Sequence, residues 1–246
     1  MNLAPALTVE NLSFAYGGKP ALTAVGFVVE PGQCAVLLGP NGAGKSTLFS
    51  LITRLYDTRQ GRIALCGYDI KQQSRQALAR LGVVFQQSTL DMDLTVMQNL
   101  MYHAKLHGMS GKLAKQRIQD ELERLNMFER RFEPVRLLNG GHRRRAEIAR
   151  ALLHEPAVLL LDEPTVGLDV PSRQDLVEHV HQLVQTRQLA VLWASHLIDE
   201  IYRQDRIIVL HQGHIKAQGT VDEVLAVTAT VSVKDAFYAL TQGGQA

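Results

Sequence analysis

The sequence has no long apolar run. Its longest unbroken apolar stretch is LAVLWA, Leu189 to Ala194, whereas a membrane-spanning helix needs about 20 predominantly apolar residues. The chain is therefore not expected to cross a bilayer. It opens on MNLAPALTVE, which has neither a basic n-region nor an apolar h-region, so no secretory signal is visible and a cytosolic location is expected. Surplus charge is missing too. Lys+Arg of 26 against Asp+Glu of 24 leaves a net +2, which gives no general electrostatic reason to expect nucleic acid as a partner. Cysteine is scarce: Cys34 and Cys66 sit in apolar, strand-like contexts without CxxC spacing or a neighbouring histidine cluster, and are expected to be buried structural thiols. No low-complexity segment or internal repeat is found, which argues against solenoids and tandem cassettes.

What is present is an ordinary globular core. At 246 residues and 46% hydrophobic composition, the chain has room for one large domain or two small ones. ALTVENLSFAY, AVGFVVEPG and GRIALCG alternate apolar and polar residues or end in Gly and Pro turns, the pattern of a partly exposed antiparallel sheet. CAVLL (34–38), GVVF (82–85), AVLLL (157–161) and AVLWA (190–194) are short continuous apolar runs, the mark of parallel strands buried on both faces.

Helices fit between these runs. Ile118, Leu122 and Leu125 fall at helical spacing, as do Leu176, Val180, Leu183 and Val184. The second helix is expected to start at Pro171-Ser172, with Asp175 three residues after the serine. Residues from about 88 to 156 contain no convincing strand and read as a helical insertion. DRIIVLHQGHIKAQG reads as a hairpin turning at Gln212-Gly213, and SVKDAFYALTQ spaces Val233, Phe237 and Leu240 for a short helix packed on the domain's own core.

One motif carries sharp chemistry. GPNGAGKST, formed by Gly39, Pro40, Asn41, Gly42, Ala43, Gly44, Lys45, Ser46 and Thr47, matches G-x-x-x-x-G-K-[ST] between a buried strand and a helix-like stretch. Glycines let backbone N–H groups close around phosphates, the helix N-terminus adds positive potential, Lys45 neutralises β- and γ-phosphate oxygens, and Ser46 ligates Mg²⁺. AVLLLDEP then places Asp162 and Glu163 at the end of a buried strand. Asp162 is expected to hold Mg²⁺ and Glu163 to polarise the water that attacks the γ-phosphate.

Over nearly its whole length the sequence resembles the nucleotide-binding subunit of ATP-binding cassette (ABC) transporters. The resemblance implies ATP and Mg²⁺ as cofactors and an α/β fold: a P-loop NTPase core sheet with an antiparallel β subdomain and a helical subdomain. Within one domain, 1–246, the core spans 1–87 and 157–225, the helical subdomain about 88–156 and a C-terminal helix about 231–242. Further residues take their roles from the family's order. Tyr16 matches the aromatic that stacks on adenine; Gln86 in VVFQQ matches the glutamine linking the nucleotide and its metal to the helical subdomain; Asp169 in VGLD matches the loop that crosses a dimer; and His196 in LWASH matches the histidine that contacts the γ-phosphate. Each also has an ordinary structural reading, as a turn neighbour, a strand end, a helix cap and a core histidine respectively. Their joint order favours the functional one.

The family signature LSGGQ resembles LNGGH here, with Asn139, Gly140, Gly141 and His142. Asn is as good an N-cap as Ser, so the helix start should survive. Asn139 can also donate to a phosphate if its carbonyl oxygen turns away, the glycines keep close backbone approach, and His142 keeps a ring N–H. His142 to Arg145 put positive charge in a helix's first turn, against the macrodipole. Either a nearby triphosphate relieves that conflict, or the arginines turn outward and pair with acids such as Glu147.

The resemblance implies a cytoplasmic ATPase, peripheral on the membrane, that forms a homodimer or heterodimer of nucleotide-binding subunits and drives one or more separate transmembrane subunits. The segment after Gln86 and the SVKDAFYALTQ end resemble the exporter branch, and LNGGHRRR resembles ATP-binding subunits associated with pyrroloquinoline-quinone-dependent alcohol oxidation systems. The alternatives are a non-transport ABC ATPase, against which a single cassette without sustained heptads argues, and a non-hydrolysing regulatory subunit, in which Glu163 and His196 would have no use.

Overall fold

Strands with alternating burial and strands buried throughout separate into two sheets in the computed structural model, which describes residues 4–242. Met1 to Leu3 of the opening stretch and the last four residues lie outside the described residues. The antiparallel sheet runs in the order β2 (Lys19–Val29), β1 (Leu7–Tyr16), β4 (Gln60–Leu65), β5 (Tyr68–Asp69). The larger sheet runs β10 (His214–Thr220), β9 (Arg206–His211), β3 (Cys34–Leu38), β8 (Ala190–Ser195), β7 (Val158–Asp162), β6 (Leu81–Val84). Its pairs are parallel except for the β9–β10 hairpin. Every residue of β3, β7 and β8 is buried, as continuous apolar runs require.

Register sets up the site. Leu38 pairs with Ser195 and Asp162 with Ala194, so the carboxyl ends of β3, β7 and β8 finish level with one another. In parallel α/β sheets that edge is where ligands bind. The segments leaving it are the loop into α1 (Lys45–Ile52), the turn at Glu163 and the turn at His196.

Between β6 and β7 the chain is helical: α3 (Val96–Leu106), α4 (Gly111–Arg124) and α5 (Gly140–Leu152), with short 3-10 turns between α4 and α5. Three side chains start these helices by accepting a backbone N–H: Thr95 for α3 in a full capping box with Gln98, Ser110 for α4 and Asn139 for α5. α6 (Val170–Arg187) starts earlier than the expected Pro171-Ser172. Asp169 is its N-cap, accepting from the Ser172 N–H at 2.8 Å, and Pro171 sits in the first turn, where a missing N–H costs nothing.

The cysteine reading needs correcting. Cys34 is buried in β3, but Cys66 is only partly buried and lies in a turn with φ +50°, not in a strand. The fold also brings His181 and Asp205 against Cys34, a neighbourhood with no trace in sequence spacing. α7 (Val221–Thr228) and α8 (Val233–Gln242), bent by 53° from each other, pack on the core through Val221, Val224 and Ala236. Among the described residues no single helix is long and apolar enough to cross a membrane.

Gly82 seats α5 on the sheet: a Cβ there would lie 2.6 Å from the Ala151 carbonyl oxygen and 3.0 Å from Pro156. Because the obstacle is backbone, Gly82→Ala should lower the unfolding free energy by about 1–3 kcal/mol through overpacking. Urea denaturation reads this, and an unchanged midpoint would contradict the close seating of α5.

Candidate active site

The Gly39–Thr47 loop leaves β3 and wraps into α1 with little room to spare. A Cβ on Gly39 would stand 2.5 Å from the Leu210 carbonyl oxygen, and one on Gly44 2.9 Å from that of Ala21. Gly44 is the N-cap of α1, at φ +112° and with no side chain to offer, so the helix's first N–H groups face outward for an anion. Lys45 is buried and curls back over the loop, its Nζ donating to the carbonyl oxygens of Gly39 (2.7 Å) and Pro40 (3.3 Å).

A cleft of ≈ 710 Å³ opens over this loop. It brings together Tyr16, Pro40, Asn41, Gly42, Ala43, Gly44, Lys45, Ser46, Thr47, Gln86 and Glu163, with Gln212 and Gly213 of the hairpin turn completing its wall. Tyr16 is 47% exposed at its rim. Its hydroxyl lies 3.2 Å from Thr47 Oγ1 and its ring meets Phe14 and Tyr56 edge-on.

Glu163 is where the separated motifs meet. It is 8% exposed, and its backbone sits at φ +47°, a left-handed conformation that a glutamate holds only when its surroundings over-determine it. Its Oε1 lies 3.4 Å from Lys45 Nζ and 3.2 Å from His196 Nδ1, and its Oε2 accepts from Gln86 Nε2 at 3.3 Å. Three residues predicted from three other places in the sequence therefore converge on the carboxylate of a fourth. Asp162 beside it is also buried. Burial first, and then the neighbouring Glu163 charge, push the Asp162 carboxyl up, against the pull of Lys45 and Arg144. A divalent cation would reverse that shift. The Ser46 hydroxyl, the Gln86 amide and the Asp162 carboxylate are all hard oxygen donors, the set that Mg²⁺ takes in company with phosphate.

Sequence reasoning missed the groups that hold this site in place. Glu200, 2% exposed, accepts from Thr165 Oγ1, from Ser195 Oγ at 2.5 Å and from Trp193 Nε1 at 3.2 Å. It thereby ties the end of β8, just before His196, to the turn just after Glu163. The only signal was an acidic residue in an apolar neighbourhood, which does not reveal its partners.

The arginines after the signature pair with acids, Glu147 among them, as one of the two expectations had it, but Arg144 does not turn outward. Arg144 turns inward: it is 7% exposed, donates to the carbonyl oxygens of Phe85 (2.7 Å) and Gln86 (3.0 Å), and pairs with buried Glu147 at 2.7 Å. Glu147 in turn accepts from the Thr89 N–H, and Arg150 donates to the Thr89 carbonyl and hydroxyl. Arg145 pairs with Asp175, and Arg143 donates to the Leu138 carbonyl. The charge conflict at the start of α5 is thus relieved within the chain, because that turn faces the carbonyls that follow β6.

Asn139, Gly140, Gly141 and His142 do not line the chain's own cleft. Asn139 caps α5 through its Oδ1, which accepts from the His142 N–H at 2.8 Å, so its amide NH₂ is the remaining donor. A Cβ on Gly141 would press Ser172 Oγ at 3.0 Å, whereas one on Gly140 would make ordinary contacts with Leu168 at 3.4 Å and the Gly167 carbonyl oxygen at 3.9 Å. Burial, then Arg130 and Arg145, push the His142 imidazole down, with Glu133 opposing, and a neutral ring keeps one N–H donor. Asp169 takes the cap role, both of its oxygens engaged by Ser172.

Residues 22–166 match the ABC transporter family, and the chain is 39% identical over 215 residues to the linearmycin resistance ATP-binding protein LnrL of Bacillus subtilis (strain 168), covering 87% of this chain and 69% of that one. The chain belongs to the ABC transporter family. It is also 36% identical to the daunorubicin resistance ATP-binding protein DrrA3 of Streptomyces coeruleorubidus, over 91% of this chain and 71% of that one. To the Nod factor export ATP-binding protein I of Burkholderia orbicola (strain AU 1054) the identity is 37%, over 89% and 72%. Its fold is similar to a solved ATP-binding subunit of an ABC transporter, with a TM-score of 0.86, 27% identity and coverage of 96% and 99%. The chain is an ABC ATPase, an ATP-binding and ATP-hydrolysing subunit; ATPases of this family dimerise and work with transmembrane subunits.

Removing Arg144 from this ABC ATPase leaves Glu147 buried without its counter-charge and two carbonyls without a donor. Arg144→Ala should therefore cost about 3–5 kcal/mol in denaturant unfolding, and adding Glu147→Leu should recover part of it. A loss of only about 0.5 kcal/mol, ordinary for a surface residue, would contradict the buried clamp.

Proposed function

We propose that this chain powers export through one or more separate transmembrane subunits, working at the cytoplasmic face of the membrane as one half of a head-to-tail dimer. The observation that carries the catalytic part is the meeting of Lys45, Gln86 and His196 on the Glu163 carboxylate. The names of the relatives, ATP-binding proteins of linearmycin resistance, daunorubicin resistance and Nod factor export, support export.

In this reading Tyr16 stacks on the adenine, the backbone N–H groups of Asn41 to Thr47 surround the phosphates, and Lys45 exchanges its loop carbonyls for the more strongly negative phosphate oxygens. That exchange loosens its hold on Glu163, which then accepts the proton of the attacking water while His196 and Gln86 orient the reacting end. Ser46, Asp162 and Gln86 are the residues that would hold Mg²⁺, which supplies charge neutralisation across the β- and γ-phosphates.

The signature supports the dimer. Asn139 to His142 stand apart from the chain's own cleft, and Gly140 leaves room above it. A second copy placed head-to-tail would bring LNGGH to the partner's γ-phosphate, with Asp169 at the crossing between the two. The pairing is homomeric or with a related subunit.

Glu163→Gln removes the base but keeps the shape. We expect turnover to fall by about 10²- to 10⁴-fold while ATP binding persists, measured by phosphate release beside nucleotide titration. Wild-type turnover in that variant would overturn the assignment of the base. Affinity isolation of the chain from native membranes tests the partner: a co-isolated membrane protein is expected, and ribosomes or nucleic acid in its place would contradict transport.

A further inference from the structure

Outside the nucleotide cleft, the fold gathers three histidines that the ATPase reading does not use. His103 and His107 stand four residues apart at the C-terminal end of α3, and His154 follows α5. Ring nitrogens from all three lie within 4.8 Å of one another. The ring centroids are 4.7 Å apart for His103 and His107 and 4.1 Å for His107 and His154.

The hydrogen bonding makes this more than a crowd of imidazoles. His154 Nε2 lies 3.0 Å from the Leu81 carbonyl oxygen. A carbonyl can only accept, so Nε2 carries the proton and Nδ1 holds the lone pair. That Nδ1 is buried and has no hydrogen-bond partner, and the same is true of His103 Nε2. Two buried ring nitrogens without partners, in one cluster, call for a ligand. A ring whose second nitrogen donates to a backbone carbonyl is also the arrangement that orients a metal-binding histidine.

Two further features support lone pairs available at neutral pH. Burial, reinforced by His107, Arg150 and His154, pushes His103 down to about 3. Burial and the neighbouring His107 push His154 down to about 4 against the opposing Leu81 hydrogen bond, and burial lowers His107 as well. The contrast is the group formed by Cys34, His181 and Asp205. There His181 has Nδ1 on the Val177 carbonyl and Nε2 on Asp205, so it has no free nitrogen to give.

We propose that His103, His107 and His154 form a binding site for a divalent transition-metal cation of the zinc, cobalt and nickel class. Three neutral imidazoles suit such borderline ions and not the hard Mg²⁺ of the nucleotide cleft. His103 Nε2 and His154 Nδ1 supply two ligands from the buried side, His107 supplies the third, and solvent completes the fourth position on the exposed side of His107. The His107 and His154 rings are stacked, with 15° between their planes, and one ion cannot lie in both planes. His107 is exposed and turns out of the stack to bind. Arg150 is the nearby positive charge and opposes the ion, but its guanidinium is turned to Thr89. The bound ion would join α3 to the turn after α5 and, through the Leu81 carbonyl, to β6.

The test uses the full chain stripped with chelator and titrated with Co²⁺ without nucleotide, followed by visible absorption. One Co²⁺ per chain is expected, with the intense visible bands of a four-coordinate ion held by three imidazole nitrogens and one water. His107→Ala, an exposed change whose thermal melt should match wild type, is expected to weaken uptake at least about 10-fold; His103→Gln should do the same, and His214→Ala should not. No saturable uptake by the wild type, or equal uptake by the wild type and His107→Ala, would overturn the site.

Discussion

The Glu163 carboxylate is the point on which the rest of the site depends. A buried anion is costly unless it is paired and hydrogen-bonded, and here a lysine, an imidazole and an amide share that work. The same contacts hold its backbone in a conformation that glutamate would not choose alone. Glu163 thereby links β7 to the loop after β3, to the turn after β8 and to the segment after β6. In the proposed reading, a triphosphate that draws Lys45 away would change the balance at this one carboxylate.

Two buried carboxylates extend that linkage outward. Glu200 fixes the turn after Glu163 to the end of β8, so Glu163 and His196 are set by the same anchor. Glu147 and Arg144 bind the backbone around Gln86 to the first turns of α5, whose N-cap is Asn139. The segment that meets the Glu163 carboxylate and the helix that presents the signature are thus joined by charged hydrogen bonds rather than by soft apolar contact.

Much of this was legible before any coordinates. The buried strands announced themselves as continuous apolar runs because both faces of a parallel sheet are covered, and the strand-to-helix position of GPNGAGKST and the place of Asp162-Glu163 at the end of a buried strand were legible from the same runs. Asn139 as a cap was legible because short polar side chains capture free N–H groups wherever a helix begins. The inward turn of Arg144 was not, since pairing depends on which carbonyls the tertiary fold brings opposite the helix, and an arginine run looks the same whether solvated or clamped. Glu200, the company of Cys34 and the meeting of His103, His107 and His154 were hidden for the same reason: their partners lie far away in sequence. Asp169 was legible as a helix cap, and its capping geometry fixes where α6 begins.

The most direct test of the account is whether the P-loop of one copy and the LNGGH of another close on shared ATP. Sedimentation velocity of the Glu163→Gln chain with and without ATP·Mg²⁺ measures it. The account predicts a shift from monomer to dimer on adding ATP·Mg²⁺, and loss of that shift when Gly140→Tyr is added, since Gly140 has room for a side chain within its own subunit but none beneath a partner's phosphate. A nucleotide-bound chain that stays monomeric, or a dimer indifferent to Gly140→Tyr, would contradict it.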